Sequence, residues 1–181
     1  MLQASWVSRL VSRRHLLLAA GVAFVPGGAA YAAPQPSRRV PLFTIERSKN
    51  KNVVRYDLRL DNSGFYDVRR PLDVYWSMLA EDGRRSELSA LEWRAYGFEL
   101  LPNAKPTELG VRLVAVKDRP LSVRRRNGVF RTEIPIGGQP AFLDSIFVAT
   151  REVAPVPRVL YVELRGRRIA DERPLKERLE K

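Results

Sequence analysis

Residues 121–136 have the sequence LSVRRRNGVFRTEIPI, and this stretch decides the fold class. Asn127-Gly128 separates two segments rich in strand-forming residues. Asn-Gly is the strongest short-range pattern for a β-hairpin, because a tight hairpin turn needs two residues that tolerate positive φ. The stretch therefore predicts a hairpin made of strands over residues 121–126 and 129–136.

Alternating apolar and polar residues predict further strands on both sides of this hairpin. Val54, Tyr56, Leu58 and Leu60 alternate with charged residues, as in a strand with one buried and one solvated face. Other strands are expected over residues 42–46, 73–80, 111–117, 141–150, 157–165 and, briefly, from 168. The pattern predicts an all-β fold of about eight or nine short antiparallel strands, arranged as a sandwich or alternatively as a barrel.

One segment departs from the strand pattern. Ser89 and Glu92 fit a capping box, and Leu88, Leu91 and Ala95 recur at helical spacing. We expect one short helix near residues 86–96, lying over one end or face of the sheets.

Residues 1–32 have the features of a signal peptide. A segment with three arginines and no acid precedes ten apolar residues, and a small-x-small pattern ends at Ala32. The apolar run is far shorter than the roughly 20 residues of a membrane span. Residues 12–17, SRRHLL, resemble the twin-arginine export motif, although an ordinary secretory leader is the alternative. We expect an exported protein, periplasmic or secreted, with a flexible lead-in over residues 33–39 and a single β domain over 40–181 that contains no transmembrane segment.

Composition excludes several classes of chemistry. The 181 residues include no Cys and one His, which is His15 inside the expected leader. The exported domain would then lack thiol and imidazole, which excludes disulfides, Ser–His and Cys–His mechanisms, and metal sites built on these ligands. We expect no cofactor and no metal.

The charge balance is strongly basic, with a formal net charge of +12. Such a surface suits an envelope polyanion or anionic lipid headgroups, and the alternative is a soluble basic surface with acids interspersed. Nucleic acid is a poor partner for an exported chain that has no base-stacking motif. Arginines cluster at residues 69–70, 84–85, 124–126 and 165–168.

Three segments resemble an uncharacterised family of exported bacterial domains, known only as a domain of unknown function. They are residues 46–54, with the sequence ERSKNKNVV, residues 73–76, DVYW, and residues 91–98, which contain LE and AYGF. The likeness spans most of residues 42–175. It implies an exported, single-domain bacterial protein, and it carries over no catalytic residue.

The first candidate site is the donor-rich segment after the first strand. It contains Arg47, Ser48, Lys49, Asn50 and Lys51. Cationic side chains and backbone N–H groups gathered in one loop can bind a phosphate, sulfate or carboxylate. The alternative is a solvated turn, in which the asparagines serve backbone conformation.

The second candidate site combines aromatic and acidic residues. Tyr75, Trp76 and Tyr96 lie near Asp73 and Glu92 in the sequence. Aromatic rings beside carboxylates can bind sugars or peptides, whereas core packing is the commoner use of such rings. Two carboxylates that faced each other could also hydrolyse a glycoside.

These observations lead to two functional hypotheses. The first is a non-enzymatic exported domain that binds an anionic envelope component or a protein partner, with Arg47, Lys49, Asn50 and Lys51 as donors. Tyr75, Trp76 and Tyr96 would shape that site. The alternative is a carboxylate-dependent hydrolase that acts on envelope carbohydrate, with Asp73 and Glu92 as the catalytic pair.

Overall fold

A computed structural model of the chain describes residues 38–102, 107–151 and 158–180. The expected signal peptide and residues 33–37 of the expected lead-in lie outside this range. Within the described residues there are eleven strands, one α-helix and one 3-10 turn at Val114–Val116. They are β1 (Arg39–Arg47), β2 (Asn50–Arg59), β3 (Leu72–Met78), β4 (Arg84–Glu87), α1 (Ala90–Tyr96), β5 (Phe98–Leu101), β6 (Glu108–Leu113), β7 (Leu121–Arg126), β8 (Val129–Ile136), β9 (Gln139–Arg151), β10 (Arg158–Arg168) and β11 (Pro174–Glu180).

The strands form one hydrogen-bonded sheet, and the all-β class with one helix is confirmed. Nine strands, in the order β4-β3-β2-β1-β9-β8-β7-β6-β5, make a curled sheet that closes halfway to a barrel. Strand β10 pairs with β9, and β11 pairs with β10. The apolar faces of the strands meet inside the curl, where the largest fully buried side chains are Tyr56, Ile45, Leu58, Leu113, Leu121 and Ile136.

One pairing corrects the expectation that every strand is antiparallel. Strands β1 and β9 run parallel, with Thr44 opposite Ser145 and Arg47 opposite Val148. One edge of β9 pairs with β10. The opposite edge of β9 pairs with two strands, first with β8 over residues 139–142 and then with β1 over residues 145–148. Local alternation predicts strands but not their relative direction, because direction depends on which segments meet in the folded chain.

The predicted hairpin is confirmed. Strands β7 and β8 pair antiparallel, and the two turn residues have positive φ, 49° at Asn127 and 82° at Gly128. This conformation matches the right-handed twist of the flanking strands. The alternation around Tyr56 is also confirmed, although its polar face is less solvated than expected, because Asp57 is buried.

The helix is shorter than predicted, and its apolar positions are not buried. Residues 86 and 87 belong to β4, which pairs with β3, so α1 starts only at Ala90. The capping box is confirmed, since the Ser89 side chain accepts from the Glu92 backbone while the Glu92 side chain accepts from the Ser89 backbone. Leu91 is 74% exposed, and no residue of α1 is buried.

Three strands lie where none was predicted: β4, β5 and β11. Strands β4 and β11 are rich in charged residues, β5 has only four residues, FELL, and all three pair on one side only. Edge strands do not need a continuous apolar face, so alternation is a weak predictor of them. The predicted strand over residues 157–165 extends through Arg168 as β10.

Candidate functional site

The first candidate segment forms a turn shorter than the predicted loop. Only Ser48 and Lys49 lie between β1 and β2. The Ser48 backbone N–H donates to the Val148 carbonyl at 3.2 Å, and the Thr150 N–H donates to Ser48 Oγ at 3.0 Å. These bonds attach the turn to the end of β9. Ser48 therefore has a structural role within the fold, and it brings the predicted donors beside β9.

The remaining donors of this segment lie around the turn. Lys49, Asn50 and Lys51 are all exposed. The Asn50 side-chain oxygen accepts from the Asn52 N–H at 3.1 Å, and Asn52 in turn accepts from the Ala80 N–H at 3.0 Å. The asparagines thus support the backbone, as the turn interpretation expects.

Arg47 is the predicted donor that faces a ring and a cavity. Its guanidinium carbon lies 4.3 Å from the centre of the Trp76 ring, a cation–π contact. Its Nε is buried and has no hydrogen-bond partner, and the guanidinium makes no ion pair within the described residues. An arginine carries five N–H donors, so this side chain retains capacity for an acceptor.

Trp76, Tyr96 and Glu92 complete the cluster around Arg47. The Trp76 indole N–H donates to Glu92 Oε1 at 2.9 Å, and the Trp76 and Tyr96 rings meet edge to face with centres 5.4 Å apart. The Tyr56 hydroxyl donates to the Tyr96 carbonyl, which fixes the end of α1 to β2. Burial raises the pKa of Tyr56, so this hydroxyl keeps its proton.

Glu92 is an ionised carboxylate with its hydrogen-bonding capacity largely used. The Ser89 N–H and hydroxyl each donate to Oε2 at 2.8 Å. Partial burial raises the pKa of Glu92, but the Ser89 donors, the Trp76 indole and the nearby charge of Arg47 outweigh it and hold that pKa below its usual value. Because its pKa is lowered, Glu92 is ionised near neutral pH and has no proton to donate as a general acid. It serves instead as a hydrogen-bond acceptor at the start of α1.

Asp73 and Tyr75 lie on the other face of the sheet. Asp73 and Trp76 are three residues apart in β3, so they point to opposite faces. Tyr75 points with Asp73, donates its hydroxyl to Asp57 at 2.8 Å and stacks under Arg85 at 4.0 Å. Asp73 and Glu92 are therefore separated by the sheet.

Asp73 is enclosed by arginines. Its side chain is 1% exposed, and Arg85 donates to both of its oxygens at 3.1 and 3.0 Å. Arg39 Nε lies 2.8 Å away and Arg70 3.6 Å away. Burial raises the pKa of Asp73, but the Arg85 hydrogen bonds and the three positive charges outweigh it and hold that pKa below its usual value.

A groove of about 520 Å³ opens beside the Arg47 cluster, and we call it the α1 groove. Arg47 and Glu92 line it together with Tyr96 and Thr150. Its volume is in the range of small-molecule sites. Most of the remaining wall is aliphatic and comes from α1, the 3-10 turn, β9 and β10: Leu91, Ala95, Val114, Val148, Val159 and Val162.

The sequence did not predict the β9 and β10 walls of this groove. Val148 and Val159 are more than 90 residues from Arg47 along the chain, and only the β1–β9 and β9–β10 pairings bring them there. Leu91 and Ala95 did carry a detectable pattern, namely helical spacing, but they line the groove instead of entering the core.

The arginine clusters at the other end of the sheet differ from Arg47, because most of them are paired. Arg126 pairs with Glu133, and Arg167 pairs with Asp144 and Glu172. Arg131 also pairs with Glu172. Each of these acids offsets part of the local positive charge, so these clusters fit a basic surface with acids interspersed.

A family model covers the region that contains both the groove and the Asp73 cluster. The model for a domain of unknown function, DUF4833, matches residues 43–178. The chain belongs to the DUF4833 family. The match includes Arg47, Trp76, Glu92 and Tyr96, so the groove is part of the DUF4833 domain itself.

Other comparisons add nothing to the family assignment. No curated protein and no solved structure matches the chain. In the part of the DUF4833 domain that the structure describes, no helix has the length and apolar character needed to cross a membrane. Across residues 38–102, 107–151 and 158–180, no three His, Cys, Asp or Glu side chains gather as metal ligands would.

Proposed function

We propose that this domain is an exported, non-enzymatic binding module for an anionic component of the cell envelope, and that Arg47 binds the anion. The observation that carries the proposal is the state of Arg47. Its guanidinium lies against Trp76 on the lining of a groove of ligand size, with a buried Nε that has no hydrogen-bond partner. A carboxylate or phosphate in the groove would accept from the terminal Nη groups of Arg47, which guanidinium geometry favours.

The surroundings of Arg47 support an anion despite the negative charge of Glu92. The Glu92 oxygens already accept hydrogen bonds from Ser89 and Trp76. Glu92 therefore interacts with Arg47 through its charge and not through a hydrogen bond. Arg151 and Arg158 are opposite each other in the register of β9 and β10, directly after the Thr150–Val159 pair of the groove lining. These two arginines add to the positive charge of Arg47 near the groove.

The hydrolase alternative has less support. Asp73 and Glu92 lie on opposite faces of the sheet, each already engaged by several donors. A hydrolase of that class needs both carboxylates on one side of the substrate, roughly 5 to 9.5 Å apart.

The proposal can be tested by titrating the 15N-labelled protein with glycerol 3-phosphate, the head of envelope phospholipids. The titration follows the Nε–Hε resonance of Arg47 in the wild type and the backbone amide resonances of Val148 and Thr150, which line the groove, in the wild type and in every variant. We expect these resonances to shift with a dissociation constant of roughly a millimolar, the range open to one charge-assisted contact. Glycerol serves as the uncharged control.

Two matched variants decide the outcome. Arg47→Gln removes the proposed group, whereas Arg69→Gln removes the same charge from an exposed residue of the β2–β3 connection that lines no part of the groove. Binding should disappear in Arg47→Gln and remain in Arg69→Gln. Equal loss in the two variants would reduce the effect to overall charge and overturn the proposal.

A further inference from the structure

We infer that the anion bound by Arg47 carries a single aliphatic chain, which lies in the α1 groove; this inference rests on the proposed function. The observation that supports it is that Arg47 and a set of aliphatic side chains line the same groove. The ligand class is a single-chain amphiphile with a carboxylate or phosphate head.

Apolar side chains on the lining of the α1 groove are exposed to solvent. Leu91 is 74% exposed and Val159 is 36% exposed, and both line the groove. Contiguous exposed apolar surface beside polar groups is characteristic of ligand grooves, because leaving such surface in water costs free energy that a ligand recovers. The capping box and the Tyr56–Tyr96 hydrogen bond hold α1 in place although none of its residues is buried.

The chemistry of the wall favours an alkyl chain over a sugar. A sugar ring is bound by stacking on an open aromatic face with several hydrogen-bond partners around it. Here the Trp76 ring is buried and contacts Arg47. Trp93 pairs with Phe98, with ring centres 5.9 Å apart, and does not line the groove. Valine, leucine and alanine side chains offer dispersion contacts and no hydrogen bonds, which is what a hydrocarbon chain needs.

The polar groups of the groove then fix the orientation of the ligand. Arg47 is the cation on the lining, and Thr150, held by Ser48, adds a hydroxyl near the end of β9. The head of the amphiphile binds at Arg47, and its chain extends along Ala95, Val148 and Val159. A ligand of this kind uses the charge and the apolar wall together.

The chain-length dependence of affinity tests the inference on the unmodified protein. Sodium hexanoate, octanoate and decanoate, each below its aggregation concentration, are titrated by calorimetry. Transfer of one methylene into an apolar site strengthens binding about fourfold when burial is complete, and we expect roughly twofold to fourfold here because the groove is open on one side. Affinity independent of chain length overturns the inference, and if glycerol 3-phosphate still binds through Arg47, the proposed function stands.

A pair of variants in α1 tests whether the aliphatic chain lies in the α1 groove. Ala95→Phe places a ring in the groove, whereas Ala90→Phe places the same ring on the same helix outside the lining. We expect Ala95→Phe to weaken decanoate binding about tenfold or more, and we expect Ala90→Phe to leave the binding of decanoate and of glycerol 3-phosphate unchanged. Equal decanoate affinity in the two variants would overturn the inference.

Two further probes identify the source of the chain. Decyl phosphate and lysophosphatidylglycerol have a phosphate-type head and one chain, whereas decanoate represents a free fatty acid. Whichever probe binds more tightly, the phosphate-headed amphiphiles or decanoate, identifies the head group of the single-chain ligand as a phosphate or a carboxylate. Decanoate binding that persists in Arg47→Gln at full strength would show that the single-chain ligand does not use Arg47, and it would overturn the inference. The proposed function would still be decided by glycerol 3-phosphate binding.

Discussion

Replacement of Asp73 by Asn tests whether this carboxylate stabilises the fold or belongs to a catalytic pair. The substitution keeps the size of the side chain and removes its charge. Arg85 then loses its bidentate partner, and the Asn amide group turns an N–H toward at least one of the arginines that surround the site. We expect a substantial loss of stability with no compensating interaction.

The magnitude follows from burial and geometry. Breaking a buried ion pair from one side costs about 3–5 kcal/mol. Asp73 is 1% exposed, but the arginines are 32–63% exposed, so water recovers part of the loss on their side. We therefore expect the free energy of unfolding to fall by about 2–3 kcal/mol, which for a domain of this size lowers the melting temperature by roughly 4–12 °C.

The pH dependence adds a second test with a definite sign. The folded-state pKa of Asp73 lies below its usual value, so its contribution is fully present above the unfolded-state pKa of about 3.9. That contribution is lost as the pH falls through the lower, folded-state value. The stability difference between the wild type and Asp73→Asn should narrow as the pH decreases from 7 toward the most acidic condition in which both remain folded.

Urea unfolding measured by tryptophan fluorescence provides both quantities. Glu81→Gln is the matched control, since Glu81 and its partner Arg84 are 51% and 67% exposed. That pair is worth at most about 0.5 kcal/mol. A cost below about 1 kcal/mol for Asp73→Asn, or a difference that stays constant with pH, would refute the reasoning.

Two other substitutions test the site and the register. Glu92→Gln keeps an acceptor for Trp76 but loses an acceptor for Ser89, so the free energy of unfolding should fall by about 0.5–1 kcal/mol. Glycerol 3-phosphate should bind about twofold to fivefold tighter, because the negative charge beside Arg47 is gone. Weaker binding in the NMR titration would contradict this prediction. Gly166→Ala would place a Cβ 2.1 Å from the Phe142 carbonyl oxygen and 2.8 Å from Ile136 Cδ1, which forces β9 and β10 apart. We expect it to lower the free energy of unfolding by more than about 2 kcal/mol in urea, and wild-type stability would mean that the register is different.

Features encoded by neighbouring residues could be predicted from the sequence. The β7–β8 hairpin depends on a dipeptide that accepts positive φ, and the start of α1 depends on the reciprocal bonds of Ser89 and Glu92. The alternation around Tyr56 identified a strand because one face enters the core. Each of these interactions spans a few residues, so its pattern is visible in a short window.

Features that depend on distant contacts could not be predicted in the same way. The parallel pairing of β1 with β9 joins segments about 100 residues apart, as the Ser48–Thr150 contact does. Asp57 and Asp73 occupied positions that alternation assigns to a solvated face, yet both are buried beneath other side chains. Burial of this kind depends on Arg39 and Arg85, which reach the site from β1 and β4.

Part of the candidate site was predictable because three strands are consecutive in both sequence and space. Strand β1 pairs with β2 and β2 with β3, so Val54 lies between Ile45 and Trp76, and the ends of β1 and β3 meet near α1. Arg47, Trp76 and Tyr96 were named from two separate sequence segments, and the fold joins them. Tyr75 was separated from them by the side-chain alternation of a strand, which places adjacent residues on opposite faces.

Asp73 and Arg47 are charged groups on opposite faces of the same sheet, and their partners differ in a way that separates structure from binding. Asp73 has three arginines around it, and its oxygens accept hydrogen bonds in good geometry. Arg47 has an aromatic face and one nearby carboxylate whose oxygens are already bonded elsewhere. A fold that only needed to neutralise Arg47 could have placed an acceptor within hydrogen-bond distance of its Nε, as it did for Arg85. A buried donor without a partner costs about 1–3 kcal/mol, and the Nε atoms of Arg59 and Arg124 are in the same state, so what distinguishes Arg47 is its place on the lining of the α1 groove. A ligand that binds there should accordingly raise the stability of the domain by about 2.7 kcal/mol at a hundred times its dissociation constant, and this gain should be absent from Arg47→Gln.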